Sequence, residues 1–129
     1  MSLKLRITLV SAVAGALAAS SIAFGAGSMQ GTYTTTIKSP AQLTGKWALV
    51  LAKGGVYSVR LNGELVARGK YTSTPKTITF AREQGSGCIG AGTYAWKKAG
   101  KTMTFARTRE TSSCQARALV LGHRCTQVR

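Results

Sequence analysis

From Gly31 onward the apolar residues of this chain alternate with polar ones at a spacing of two. That period matches the pleat of a β-strand with one buried face, and it predicts no helix in this part of the chain. Trp47, Leu49 and Leu51 share one face, and Tyr57, Val59 and Leu61 repeat the pattern with Ser58 and Arg60 turned outward. Thr77-Ile78-Thr79-Phe80 and Thr102-Met103-Thr104-Phe105 follow the same rule. Turn signals separate these runs at Gly54-Gly55, Asn62-Gly63, Thr74-Pro75 and Ala99-Gly100. Asn-Gly is the most specific of them, because a two-residue hairpin turn needs positive φ at both positions. The pattern predicts strands over 31–38, 44–52, 56–61, 64–72, 76–82, 92–98, 101–107 and 116–128, the last with a break at Gly122. Two longer connections, 83–91 and 108–115, each carry a cysteine.

A second regularity says how such strands assemble. Gly-x-aromatic occurs at Gly31/Tyr33, Gly45/Trp47, Gly55/Tyr57, Gly69/Tyr71 and Gly92/Tyr94. Residues two apart on a strand share a face, so each glycine is expected to clear room beside an inward ring. There is also an internal echo: Gly69-Lys70-Tyr71 leads to Thr79-Phe80-Ala81-Arg82, as Gly92-Thr93-Tyr94 leads to Thr104-Phe105-Ala106-Arg107. A meander of this kind is all-β, and closing it into an up-and-down antiparallel barrel of about eight strands removes its exposed edges. The expected interior is Trp47, Leu49, Tyr57, Val59, Leu65, Tyr71, Ile78, Phe80, Tyr94, Trp96, Met103, Phe105 and Leu119. So many rings can fill a small barrel, and a packed interior is the first expectation. Any pocket would be lined by Tyr57, Tyr71, Tyr94, Trp96 and Phe105, and would suit a small, flat, partly apolar ligand.

The first 25 residues read as an address rather than as part of the fold. Lys4 and Arg6 precede an uncharged apolar run from Ile7 to Phe24, followed by small residues at Gly25, Ala26 and Gly27. This is the layout of a signal peptide over 1–25, leaving a single barrel domain over 26–129. Cleavage after Ala23 is the alternative. A permanent anchor is the other reading of a run about 18 residues long. Export removes two cations and takes the formal charge from +15 to +13.

The 129-residue chain has 18 Lys+Arg but only three acids, Glu64, Glu83 and Glu110, and no aspartate. A Ser-His-Asp triad and an EF-hand loop are therefore excluded, and three scattered glutamates are a poor stock for paired-carboxylate hydrolysis. The expectation is a non-enzymatic protein without a cofactor. Outside the cell Cys88 and Cys114 are expected to pair, with Cys114–Cys125 as the alternative. The odd thiol could join two chains. Cys88, Cys114, His123 and Cys125 form a weak metal-ligand set, since they lack any Cys-x-x-Cys knuckle. Cations at Lys38, Lys46, Arg60, Arg68, Lys70, Lys76, Arg82, Lys97, Lys98, Lys101, Arg107 and Arg109 are expected to face outward. They suit an anionic surface or an acidic protein. With the rings turned inward they do not read as a specific nucleic-acid site.

Leu43-Thr44-Gly45-Lys46-Trp47-Ala48-Leu49 resembles the Gly-x-Trp opening strand of the calycin superfamily. Gly92-Thr93-Tyr94-Ala95-Trp96, Lys101-Thr102-Met103-Thr104-Phe105 and Cys114-Gln115-Ala116-Arg117 are similar to small secreted lipocalin-like proteins of bacteria. The likeness covers roughly residues 30–129. It implies that Arg117, or else Arg124, lies across Trp47 and closes one end of the barrel. Thr111-Ser112-Ser113 stand where such proteins carry an acidic residue ahead of Cys-x-x-Arg. The resemblance implies either a ligand-binding module or a protein-interaction module, such as a hydrolase inhibitor acting through loops and basic exterior. Intact-mass measurement of the protein from culture fluid is expected to show a chain beginning at Ala26. A mass that retains Met1 would reject export by cleavage.

Overall fold

The computed structural model describes residues 29–129; the segment 1–25, read above as a signal peptide, lies outside them. Eight strands form a closed barrel: β1 (Gly31–Ile37), β2 (Gly45–Ala52), β3 (Val56–Leu61), β4 (Glu64–Ser73), β5 (Thr77–Gln84), β6 (Gly92–Ala99), β7 (Thr102–Arg109) and β8 (Cys125–Gln127). Each pairs antiparallel with its chain neighbours, and β1 closes the sheet on β8 through Tyr33↔Gln127 and Thr34↔Thr126. Asn62 takes a φ of +51° and Gly63 one of +88° between β3 and β4, the left-handed pair that Asn-Gly predicts. The first seven strands lie within two residues of their expected bounds. The eighth does not.

In place of a strand over 116–128, Gln115–Leu121 form a helix, α1, and β8 keeps only three residues. Gln-Ala-Arg-Ala-Leu-Val-Leu contains two alanines and no β-branched residue before Val120, which favours helix. The alternation of Arg117, Leu119 and Leu121 fits a strand equally well on paper. The fold decides by period: Arg117 and Leu121, four apart, are buried, and Leu119 between them is 53% exposed. Gly122 ends the helix, its N–H donating to the Ala118 carbonyl at 3.0 Å.

Three register slips lie toward the end of the barrel that carries α1. On β5, Arg82 and Glu83 together oppose Gly69, since Lys70 faces Ala81 and Arg68 faces Gln84; Arg82 has a φ of +54°. On β7 the extra residue is Thr108, between Tyr94↔Arg107 and Thr93↔Arg109. On β4 it is Val66, between Val59↔Ala67 and Arg60↔Leu65. A bulge shifts strand parity by one, so every side chain beyond it changes face. Inward Phe80 is therefore followed by inward Glu83, and inward Phe105 by inward Glu110. The same device removes Leu65 from the expected interior and leaves it 47% exposed.

The remaining core is built around Phe80. Its ring meets Tyr57, Tyr94 and Phe105 edge-on, with centroids 5.0, 5.9 and 6.3 Å away. At the end opposite α1, Met29 is fully buried and its carbonyl accepts the Tyr33 hydroxyl at 2.8 Å. Tyr71 donates to the Ala52 carbonyl at 3.0 Å at the same end. Tyr33, Ile37, Leu51 and Ala67 are also buried, and join the expected set.

The glycine spacing works across strands rather than along them. A Cβ on Gly69 would stand 2.8 Å from the Tyr57 ring and 2.7 Å from the Ala81 carbonyl oxygen, so this glycine makes room for its cross-strand neighbour. Gly69→Ala is expected to lower unfolding free energy by about 2 kcal/mol, as overpacking against backbone does. An unchanged denaturant midpoint would reject that reading.

Candidate functional site

The two bulges that turn Glu83 and Glu110 inward aim both carboxylates at one group, the guanidinium of Arg117. Its side chain is 6% exposed, against 5% for Glu83 and 0% for Glu110. Arg117 Nε donates to Glu110 Oε2 at 2.8 Å and Nη2 to Oε1 at 2.7 Å, a bidentate pair. Nη2 also donates to the Gly90 carbonyl at 3.2 Å. Nη1 lies 3.5 Å from Glu83 Oε1 and is buried without a hydrogen-bond partner among the described residues.

Each carboxylate has a tyrosine of its own. Tyr57 donates to Glu83 Oε1 at 2.6 Å, and Tyr94 donates to Glu110 Oε2. Ser86 adds a hydroxyl to Glu83, and the Thr111 N–H donates to Glu110 at 3.0 Å. Gly92 has no side chain for a related reason: a Cβ there would collide with the Glu110 carboxylate.

The titration behaviour follows from this packing. Burial pushes the Glu110 pKa up, but the bonds from Arg117, Tyr94 and Thr111 outweigh it and hold the carboxyl below its ordinary value. Burial opposes the Arg117 charge, and Glu110 more than restores it. Tyr57 and Tyr94 are raised by burial first and by their glutamates second.

Beneath α1 the barrel is hollow. A cavity of about 250 Å³ lies at this end, walled by Tyr33, Trp47, Leu49, Tyr57, Val59, Ala67, Phe80, Val120 and Leu121. Arg117, Glu83 and Cys125 complete the wall, and exposed Gly85, Ser86, Ser113 and Ala116 stand around its mouth. The Cys88–Cys114 disulfide borders the same space and ties the 85–91 loop to the start of α1. Thr111 and Ser113 reinforce the tie, donating to the Ile89 carbonyl at 2.9 and 3.0 Å, while the Ile89 N–H returns a bond to Ser113.

The expected pocket residues are distributed differently. Tyr57 lines the cavity. Tyr94 and Phe105 border a separate recess beside α1 with Gln115 and Gly122. Tyr71 closes the far end, and Trp96 donates from Nε1 to the Thr74 carbonyl at 3.0 Å, also near that end. Trp47 and Arg117 both line the cavity, but Trp47 Nε1 donates to the Leu43 carbonyl at 2.8 Å, and carboxylates hold Arg117. Arg124 is exposed. The acidic partner of the Cys-x-x-Arg element is Glu110, just ahead of Thr111-Ser112-Ser113. Glu83 and Glu110 were the functional residues that alternation missed. Their signal was the echo itself, since each follows a Thr-Phe-Ala-Arg run by one or three residues.

Cys88 and Cys114 are consumed by their bridge, which dismantles the four-ligand metal set, and no other cluster of three or more ligating residues occurs among the described residues. Cys125 is 4% exposed, so its thiol is not presented to a second chain, and burial pushes its pKa up to about 11. His123 Nδ1 lies 3.0 Å from the Leu119 carbonyl at the end of α1.

Arg117→Ala is expected to cost about 3–5 kcal/mol of unfolding free energy, because it strands two buried carboxylates. A loss below about 1 kcal/mol in denaturant melts would show that the cluster is not structural. Glu110 also sets an acid limb. Its folded pKa lies below the unfolded value of roughly 4.3, so its contribution is complete above that pH and fades as pH falls through the folded pKa. Thermal melts below about pH 4.3 should fall less steeply in Glu110→Gln than in the parent protein. Equal slopes would exclude Glu110 as the group responsible.

Set against known proteins, the chain matches no family model, no curated protein and no solved structure, so the geometry beneath α1 is what carries a functional reading.

Proposed function

We propose that this chain is an exported, non-enzymatic binding protein of the lipocalin-like type, and that it holds a small, predominantly apolar molecule in the cavity beneath α1. The single observation that carries the reading is that cavity: about 250 Å³, with mainly apolar walls and a few convergent polar groups at one side. An apolar cavity of about 150 Å³ admits benzene, so this one accommodates a single ring with a short substituent. The disulfide fits a protein of the extracellular space. It closes a loop with a sequence separation of 26, which by chain entropy stabilises the fold by about 3–4 kcal/mol. In this reading the bridge and the Thr111/Ser113 bonds keep the mouth in shape before a ligand arrives.

A second reading, a protein-interaction module, draws on one observation. Ile89 is 77% exposed at the tip of the disulfide-tied loop, and among the described residues every cation but Arg117 and Lys98 is exposed. An acidic partner would meet that surface.

Trp47 forms part of the cavity wall, so its fluorescence is expected to change saturably with single-ring apolar compounds. Ala67→Leu, which fills part of the space, is expected to weaken that binding about tenfold, at a cost within the usual range for overpacking. No response from any such compound would overturn the binding reading. Strong retention on heparin that collapses with salt would favour the second.

A further inference from the structure

Most polar groups on the wall of the cavity beneath α1 are spent within the fold. Tyr33 donates to the Met29 carbonyl, Trp47 to the Leu43 carbonyl and Tyr57 to Glu83. At the mouth, Ser86 donates to Glu83 and Ser113 to the Ile89 carbonyl. The Cys125 thiol points to the His123 carbonyl at 3.5 Å. Arg117 is committed to Glu110 and the Gly90 carbonyl, and its remaining Nη1 is sealed against Glu83. Thr35 is the exception. It stands on β1 between Tyr33 and Ile37, both buried, so the strand's alternation turns its side chain inward, where it lines the cavity. Its hydroxyl has no hydrogen-bond partner among the described residues. Yet it is not sealed, since Arg117 Nη1 is the only fully buried side-chain nitrogen or oxygen among them without a partner. The Thr35 oxygen therefore meets open space, and on this face of β1 that space is the cavity.

An open hydroxyl in an otherwise apolar cavity changes which ligand fits. A hydrocarbon strips that hydroxyl of water and leaves it unpaired, a cost that a ligand oxygen removes. A hydroxyl both donates and accepts, so it pairs with a carbonyl or with another hydroxyl. With the other wall donors committed, a second polar group on the ligand goes unpaired. The pairing also has a fixed height in the barrel: Trp47 lies directly across from Thr35, and Leu49 one step deeper, across from Tyr33. Resting on the cavity-binding reading, we propose that the ligand is a small ring compound with a single neutral hydroxyl or carbonyl, which pairs with the Thr35 hydroxyl beside Trp47. The apolar body of the ligand lies deeper, against Leu49, Val59 and Phe80.

A matched series tests this: butylbenzene, 4-phenylbutan-2-ol and 4-phenylbutane-1,2-diol share one carbon skeleton and carry no, one and two hydroxyls. Affinities are read from Trp47 fluorescence in a Trp96→Phe background, which leaves a single tryptophan. Thr35→Val keeps the branched shape and removes the hydroxyl. It is expected to weaken 4-phenylbutan-2-ol about tenfold without weakening butylbenzene, as loss of one buried hydrogen-bond partner does. Thr35→Ser, which keeps the hydroxyl, should hold the alcohol-to-hydrocarbon ratio within about twofold of the parent. The diol is expected to bind the parent about tenfold more weakly than the alcohol. A ratio that Thr35→Val leaves unchanged, a ratio that falls equally in Thr35→Ser, or a diol that matches the alcohol overturns the proposal and leaves the cavity reading intact. Silence from all three compounds overturns the cavity reading itself. Should Thr35→Val fail to fold, Thr35→Ala removes the same hydroxyl and is judged by the same ratio.

Discussion

A guanidinium taken out of water has to be matched by charge and by hydrogen bonds, or the fold that buries it does not form. In this barrel the requirement falls on Arg117, and much of the architecture at one end follows from meeting it. Glu110 supplies a bidentate partner and Glu83 a second carboxylate at 3.5 Å. Two strands carry bulges that turn those carboxylates inward. Gly92 forgoes a side chain so that Glu110 fits. Tyr57 and Tyr94 complete the carboxylates' hydrogen bonding, which links the cluster directly to the ring core around Phe80. Helix, sheet and core are thus joined through one cation.

That arrangement also accounts for the hollow. Seven strands run the length of the barrel, but β8 has three residues and the chain before it is spent on α1. A helix carrying an inward arginine cannot descend into an apolar interior, because its charge must stay at the level of Glu83 and Glu110. The space between Arg117 above and Phe80 below is what remains. At the opposite end no charge needs accommodating, and Met29, Tyr33 and Tyr71 close the barrel with two tyrosine-to-carbonyl bonds. The two ends therefore differ for a physical reason, and only one has room for a guest.

The barrel itself was legible because period-two alternation and Asn-Gly are local signals, and local signals suffice for strands joined by short turns. Seven strands were readable in that way, and the Cys88–Cys114 bridge from the placing of those two cysteines in the longer connections. The site was less so. Alternation carried on from Phe80 and Phe105 puts Arg82 and Arg107 on the inner face, although both are exposed, and passes over Glu83 and Glu110, since a bulge is one unpaired residue with no fixed composition. Helix α1 was hidden by its length: over seven residues, Arg117, Leu119 and Leu121 fit the strand period, and only the pair Arg117 and Leu121 fits the helical one. Resemblance pointed to Arg117 as an end-closing residue; its first partner, Glu110, stands seven residues ahead of it, while the second, Glu83, comes from β5, which no local spacing encodes. The interior aromatics were named well and located poorly, because parity gives a side chain's face and not its height along the barrel.

The distribution of charge differs between the exterior and the cavity wall. Of three glutamates, Glu83 and Glu110 are internal, so Glu64 alone offsets the exposed cations on the surface. The exterior field is consequently positive, and it is screened over roughly 8 Å at physiological salt. The cavity wall feels chiefly its own three charges at contact distance, and their balance is negative. Scarcity of acids makes this sharper: placing two of three beside a single buried arginine leaves the described surface almost wholly basic and the wall of the cavity beneath α1 of opposite sign.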